Sequence, residues 1–157
     1  MKRLSHTDKK GNARMVDVGS KRMTNRIATA HARISMSSEA FHRVMENRMK
    51  KGDVFAAAQI GGVMGAKKTS ELIPLCHPLS LDHVEITFSP DPAAHSIEIT
   101  GTCRVTGKTG VEMEALTAVS IAALTLYDMC KAVDPSMTID EIYLVKKTGG
   151  RRGPYRR

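Results

Sequence analysis

Residues 28–36 read Ala28-Thr29-Ala30-His31-Ala32-Arg33-Ile34-Ser35-Met36. Even positions are apolar and odd positions polar, the period-two pattern of a strand with one buried face. Ser37-Ser38-Glu39 then supplies an N-cap, and Ala40, Phe41, Val44, Met45 and Met49 recur at helical spacing. Lys51-Gly52 stops that helix, and Asp53 caps a second one over residues 54–68. Gly61, Gly62 and Gly65 each cost about 1 kcal/mol against Ala in a helix unless close packing offsets it. The second helix is therefore expected to lie very near a neighbouring element. Past the Pro-bounded loop Ile73-Pro74-Leu75-Cys76-His77-Pro78, Val84, Ile86 and Phe88 alternate with His83, Glu85 and Thr87. Ser89-Pro90-Asp91-Pro92 turns the chain, and Ile97, Ile99, Cys103 and Val105 mark a third strand, so a hairpin is predicted. Gly107-Lys108-Thr109-Gly110 leads into a helix over 111–133, about 34 Å long at 1.5 Å per residue. Pro135 closes it, and residues 138–146 suit a last strand.

The order β-α-(α)-β-β-α-β predicts an α+β fold on the ferredoxin-like, split βαβ plan: an antiparallel sheet with helices on one face, plus one extra helix. The uncovered sheet face must be polar or meet another subunit. Strands lined by Ala, Ile and Met favour the second choice, so a homo-oligomer is expected.

At 157 residues the chain suits a single domain, and 41% hydrophobic with 25% charged residues is ordinary for a globular protein. No apolar run approaches the roughly 18 residues of a membrane span. Residues 1–14, MKRLSHTDKKGNAR, carry positive charge with no apolar stretch behind them, which does not read as a secretory signal. A cytoplasmic location is the expectation, with no membrane partner. The net charge of +8 comes mostly from the ends, because residues 11–150 hold 16 cations against 15 acids. Residues 1–13 and 151–157 are expected to be flexible basic tails, which more often solubilise than bind. The body carries no basic excess for nucleic acid, and an aromatic content of 4% leaves no stacking platform for single strands. Cys76, Cys103 and Cys130 are widely spaced and odd in number, so reduced thiols are expected rather than a disulfide framework or zinc knuckle.

Polar residues interrupt the long apolar helix at Glu112, Glu114, Asp128 and Lys131. Asp128 and Lys131 lie about 60° apart around the helix and can pair as i, i+3 neighbours. An exposed ion pair is the bland reading; a lysine and carboxylate in a partly dry cleft, tuned for acid–base work, is the sharper one. Glu112 and Glu114 sit in the first turn, where acids also favour the helix dipole. Two prolines bracket Cys76-His77 and fix their direction. Neighbours on an extended chain point opposite ways, so His77 alone is the better candidate. The six histidines show no HxxxH or HxH spacing, and no metal site is supported. Gly101–Thr109 imitates a Walker A loop with one residue too many between its glycines and is rejected as one. Lys108 at a helix N-terminus remains a general anion candidate. Cations also sit at Lys21, Arg22, Arg26, Lys50, Lys51, Lys67, Lys68, Lys146 and Lys147. Should several converge, they would form a polyphosphate pocket.

Several of these stretches together are distinctive: Leu4-Ser5-His6, Met15-Val16-Asp17-Val18, Lys51-Gly52-Asp53-Val54, Ala66-Lys67-Lys68-Thr69, Leu72–Leu79, Thr106–Ser120 and Leu126–Val133. Over residues 4–150 the chain resembles the cyclic pyranopterin monophosphate synthases of molybdenum cofactor biosynthesis, the MoaC family. The PLCHP loop and the GKTGVEMEALTA stretch are the most specific parts. The resemblance implies a phosphorus–oxygen lyase acting on 3′,8-cyclo-7,8-dihydroguanosine 5′-triphosphate, supplied by a radical S-adenosylmethionine GTP cyclase, with diphosphate released. It further implies ferredoxin-like subunits in a hexamer, a trimer of dimers, with active sites at subunit interfaces. Carried over by position, it implies a catalytic set of Asp128, Lys131, Lys51 and His77. Substrate contacts fall on Leu75, Cys76, His77, Met113, Glu114 and Glu112, with Arg26 and Lys67 near the triphosphate. No cofactor is required, and a magnesium ion on the triphosphate is compatible. The glycine-rich run 61–65 and the ending Thr148–Arg157 depart from the family's usual sequences. The rival expectation is a non-catalytic ferredoxin-like module that binds a nucleotide or RNA through its basic ends.

Overall fold

The computed structural model describes residues 10–150 and 153–157. The expectations placed on residues 1–9 and on Arg151 and Arg152 lie outside the described residues.

The strand β1 spans Thr24–Ser35, longer at its start than the alternation alone indicated. The first crossover contains α1 (Ser38–Met45), α2 (Val54–Lys67) and the single turn α3 (Thr69–Leu72). Both expected caps form: Ser37 accepts from the Ala40 N–H and Asp53 from the Ala56 N–H, each satisfying a donor that the helix itself leaves open. The hairpin of β2 (His83–Asp91) and β3 (Ser96–Gly107) follows, then α4 (Glu112–Cys130), β4 (Thr138–Thr148) and β5 (Tyr155–Arg156). The sheet order is β2-β3-β1-β4-β5. Because β3 is antiparallel to both β1 and β2, those two run parallel with β3 inserted between them. That is the split βαβ arrangement of the sequence reading. Tyr155 and Arg156, placed in a flexible tail by their charge, instead pair with β4 as β5.

The helical layer sits on the face of Ala28, Ala30, Ala32 and Ile34 from β1 and Ile97, Ile99, Cys103 and Val105 from β3, all buried. Small residues bring α4 close to this face. A Cβ on Gly101, opposite Ala30, would lie 2.8 Å from Val119 Cγ1. The α2 glycines do the same between helices: a Cβ at Gly62 would sit 2.9 Å from the Ala118 carbonyl oxygen, and one at Gly61 2.5 Å from Thr125 Oγ1. Close packing therefore offsets their poor helix propensity, as their density predicted. By length and composition alone α4 could cross a membrane. Here it is the core helix, with Ala115, Ala118, Val119, Ala122 and Leu126 buried.

The expectation of an apolar open face is corrected. The Ala and Ile positions face the helices, and the other face carries Thr29 bonded to Thr102, His31 bonded to Glu98, and Arg33 paired with Asp140. Period two places the two sets on opposite sides. The predicted long helix is also shorter than drawn, ending at Cys130, where Val133 N–H donates to the Cys130 carbonyl in a tight turn.

Candidate active site

Three neighbouring strands deliver their ends to one place. There β1 begins with Thr24 and Arg26, β3 runs into Lys108, and β4 runs out through Lys147 to Gly149 and Gly150. The first turn of α4, the loop around Leu75–Leu79 and the segment from Val16 to Arg22 complete a cavity of about 870 Å³. Of the anticipated site residues, Leu75, Cys76, His77, Glu112, Met113, Glu114 and Arg26 all line it. Lys21, Arg22 and Lys147, noted in the sequence only as loop cations, line it too, as does Lys108, the anion candidate at a helix N-terminus. Convergence of cations was the condition for a polyphosphate pocket, and five of them meet here.

Arg26 donates from Nε to the Gly107 carbonyl (3.0 Å) and from an Nη to the Lys108 carbonyl (3.2 Å). Lys108 Nζ donates to the Gly19 carbonyl at 2.8 Å. Carbonyl partners orient these side chains without cancelling their charge. Lys147 Nζ is held by Glu112 at 2.6 Å. The cavity thus joins five cations to two carboxyls, and one of those is not ordinary. Glu114 is only 4% exposed. Burial pushes its carboxyl up to about 7, against a backbone hydrogen bond that lowers it and with a further push from Glu112. Near neutral pH it can therefore hold or yield a proton. Cys76 is raised as well, by burial and then by Glu114. Cys76 and His77 both line the cavity, just after a turn closed by the Cys76 N–H on the Ile73 carbonyl.

The other anticipated residues gather at the opposite end of α4. Asp128 accepts from Lys131 at 2.8 Å and from Lys51 at 2.7 Å, and Lys51 also donates to the Asp128 backbone carbonyl at 2.9 Å. Lys51 thereby caps a carbonyl that the helix end leaves open and complements its dipole. This cluster is wet, with the Asp128 side chain 55% exposed. Hydrogen bonds from Lys131 and then Lys51 draw the Asp128 carboxyl down to about 2, and Asp128 in turn raises Lys131. In the single chain the pair fits the reading of an exposed ion pair, with Asp128 lowered and Lys131 raised by their mutual hydrogen bond. Lys67, exposed at the last residue of α2, lines neither the cavity nor this cluster.

Glu114 and Asp128 stand fourteen residues apart on α4, about 21 Å at 1.5 Å per residue. Groups acting on one reacting centre must lie within a few ångström of it. A single chain cannot bring both ends of α4 to one bond.

The sequence profile of the MoaC family matches residues 15–150. This chain belongs to the MoaC family. Among curated relatives in the family, the cyclic pyranopterin monophosphate synthase of Chloroflexus aurantiacus is 56% identical over 154 residues, 98% of this chain and 94% of the relative. That of Heliobacterium modesticaldum is 55% identical over 152 residues, covering 97% and 96% of the two chains. The same-named protein of Desulfatibacillum aliphaticivorans is 52% identical over 152 residues, again with 97% and 96% covered. Likeness to the family therefore runs through both ends of α4 and through every strand end at the cavity.

Proposed function

We propose that this chain is a cyclic pyranopterin monophosphate synthase, a phosphorus–oxygen lyase of molybdenum cofactor biosynthesis. It converts 3′,8-cyclo-7,8-dihydroguanosine 5′-triphosphate into cyclic pyranopterin monophosphate and diphosphate. The observation that carries the reading is the meeting in one cavity of Lys21, Arg22, Arg26, Lys108 and Lys147 with the buried carboxyl of Glu114. Cations in a half-enclosed cleft suit a triphosphate, and a carboxyl near 7 suits proton transfer at neutral pH. Making a cyclic monophosphate from a triphosphate requires a sugar hydroxyl to attack the α-phosphorus while the α–β bridging oxygen leaves with diphosphate. Cations stabilise the charge that develops on that leaving group. Proton movements during ring opening and reclosure fall to Glu114, with His77 lining the same cavity and the Lys51–Asp128–Lys131 cluster from a second copy.

The 21 Å separation supports that second copy. Each working site takes the cavity from one subunit and the lysine–aspartate cluster from another, within a hexamer built as a trimer of dimers. Exposed Ile60, Met64 and Leu124 on the outer helical face give such an assembly apolar surface to cover. The reading needs no resident cofactor; a magnesium ion would enter on the substrate's phosphates. The supplying reaction is a radical S-adenosylmethionine cyclisation of GTP, and three free cysteines suit the cytoplasm.

The test is turnover of the purified protein with the cyclic dihydroguanosine triphosphate. Diphosphate and the pterin, read as its fluorescent oxidised derivative, should appear in equal amounts. Tight binding with neither product would instead favour the non-catalytic module.

A further inference from the structure

Lys146 and Lys147 are adjacent, yet only Lys147 lines the cavity. The register between β1 and β4 explains the choice. Thr29 pairs with Lys146 and Ala30 with Leu144, so Val145 is an extra residue, a bulge, on β4. Side chains alternate along a strand, and Leu144, opposite Ala30, packs on the helix-covered face. Without the extra residue, Lys146 would fall opposite Ala28 on that face. With it, Lys147 takes the place opposite Ala28 and reaches Glu112, while Lys146 is exposed on the other side.

The bulge is held from outside by the end of the chain. The Arg157 N–H donates to the Val145 carbonyl at 2.9 Å. Tyr155 and Arg156 pair with Lys147 and Lys146. The Arg157 guanidinium stands 4.3 Å from the centre of the Tyr143 ring, which stacks on buried His31 at 4.9 Å. His31 is fixed in turn by Glu98 and by the Glu141 carbonyl. We infer that the C-terminal strand is a positioning element of the active site: by pinning the Val145 bulge, Arg157 sets Lys147 rather than Lys146 toward the substrate phosphates. The phosphate role rests on the function proposed above; the choice of lysine does not.

The experiment uses the full-length protein as wild type, Arg157→Pro, Arg157→Lys, Lys147→Ala and the Arg157→Pro/Lys147→Ala double variant. Proline removes the N–H that binds Val145, whereas lysine keeps an N–H and a cation. Acylation by a lysine-reactive ester, read residue by residue by mass spectrometry, should favour Lys146 over Lys147 several-fold in wild type and Arg157→Lys. In Arg157→Pro the two should approach parity. An unchanged ratio overturns the inference whether or not the protein turns over its substrate. With the cyclic dihydroguanosine triphosphate, Arg157→Pro should raise KM about fivefold, in the range of one weakened charge-assisted hydrogen bond, with kcat within about twofold. In the Lys147→Ala background it should add nothing. The same increase with and without the Lys147 side chain also overturns it. A shifted acylation ratio in a protein that makes no pterin would contradict the proposed activity alone.

Discussion

Glu114 and Asp128 are carboxylates on one helix driven in opposite directions by what surrounds them. Burial lifts Glu114 to about 7, and two lysines draw Asp128 to about 2. In the folded chain Glu114 holds its proton more tightly than in the unfolded one, so between its ordinary value of 4.5 and about 7 the native state binds more protons. Stability therefore falls as pH rises through that window. The melting temperature of the wild type should drop by about 5 °C between pH 5 and pH 8, for a chain of this size. Glu114→Gln should be nearly flat over the same range; an equal drop in the variant would remove Glu114 as its source. The same substitution should lower kcat by roughly 10²–10³, the usual size of an acid–base contribution, while the substrate still binds. Asp128 stays ionised throughout the neutral range, so a limb near pH 7 in kcat/KM should vanish in Glu114→Gln and persist in the residual activity of Asp128→Asn. A limb that disappeared with Asp128 instead would reverse the two assignments. The Asp128–Lys131 pair was legible from its i, i+3 spacing. Its contact with Lys51, 77 residues away in sequence, was not, because only tertiary structure brings the loop before α2 to the end of α4.

Two helices lying backbone to backbone carry the elements. At Gly62 an added Cβ would press on the Ala118 carbonyl oxygen and, at 3.2 Å, on Ala122 Cβ. Gly62→Ala should destabilise the protein by about 1–2 kcal/mol, overpacking outweighing the roughly 1 kcal/mol gain in helix propensity. Chemical denaturation would read this, and a neutral or stabilising result would mean that α2 moves outward freely. Element order, the two helix caps and the close packing of α2 were all legible, since each rests on local pattern. Element ends were less so. Helical apolar spacing runs on to Met49, but α1 ends at Met45 because Asn47 takes a left-handed φ of 54°; Met49 is buried from the loop instead. Likewise residues 131–133 keep helical spacing after α4 has ended, and the proline expected to close it, Pro135, lies beyond them. The bulges of β4 were invisible, as a one-residue slip leaves the alternation of Ile139 to Lys147 ambiguous.

At the scale of the whole molecule, charge in the sequence was spread over loops, and only the sheet order gathers it. Because β3, β1 and β4 are neighbours, Lys108, Arg26 and Lys147 meet although they are distant in sequence. The lining of the strands suggested an oligomer through an apolar open face, and that face is in fact polar. The reason proposed above is the 21 Å between the two ends of α4; on that reading each chain holds two halves of different sites. Subunit mixing tests this account most directly. Glu114→Gln disables the cavity and Asp128→Asn the lysine–aspartate cluster, so each variant alone should be nearly inactive. Dissociated and reassembled together in equal amounts, they should recover about a quarter of wild-type turnover, because half the dimers are mixed and one of their two sites is intact. A mixture as inactive as its parents, with mixed assemblies shown to be present, would contradict a site shared between subunits.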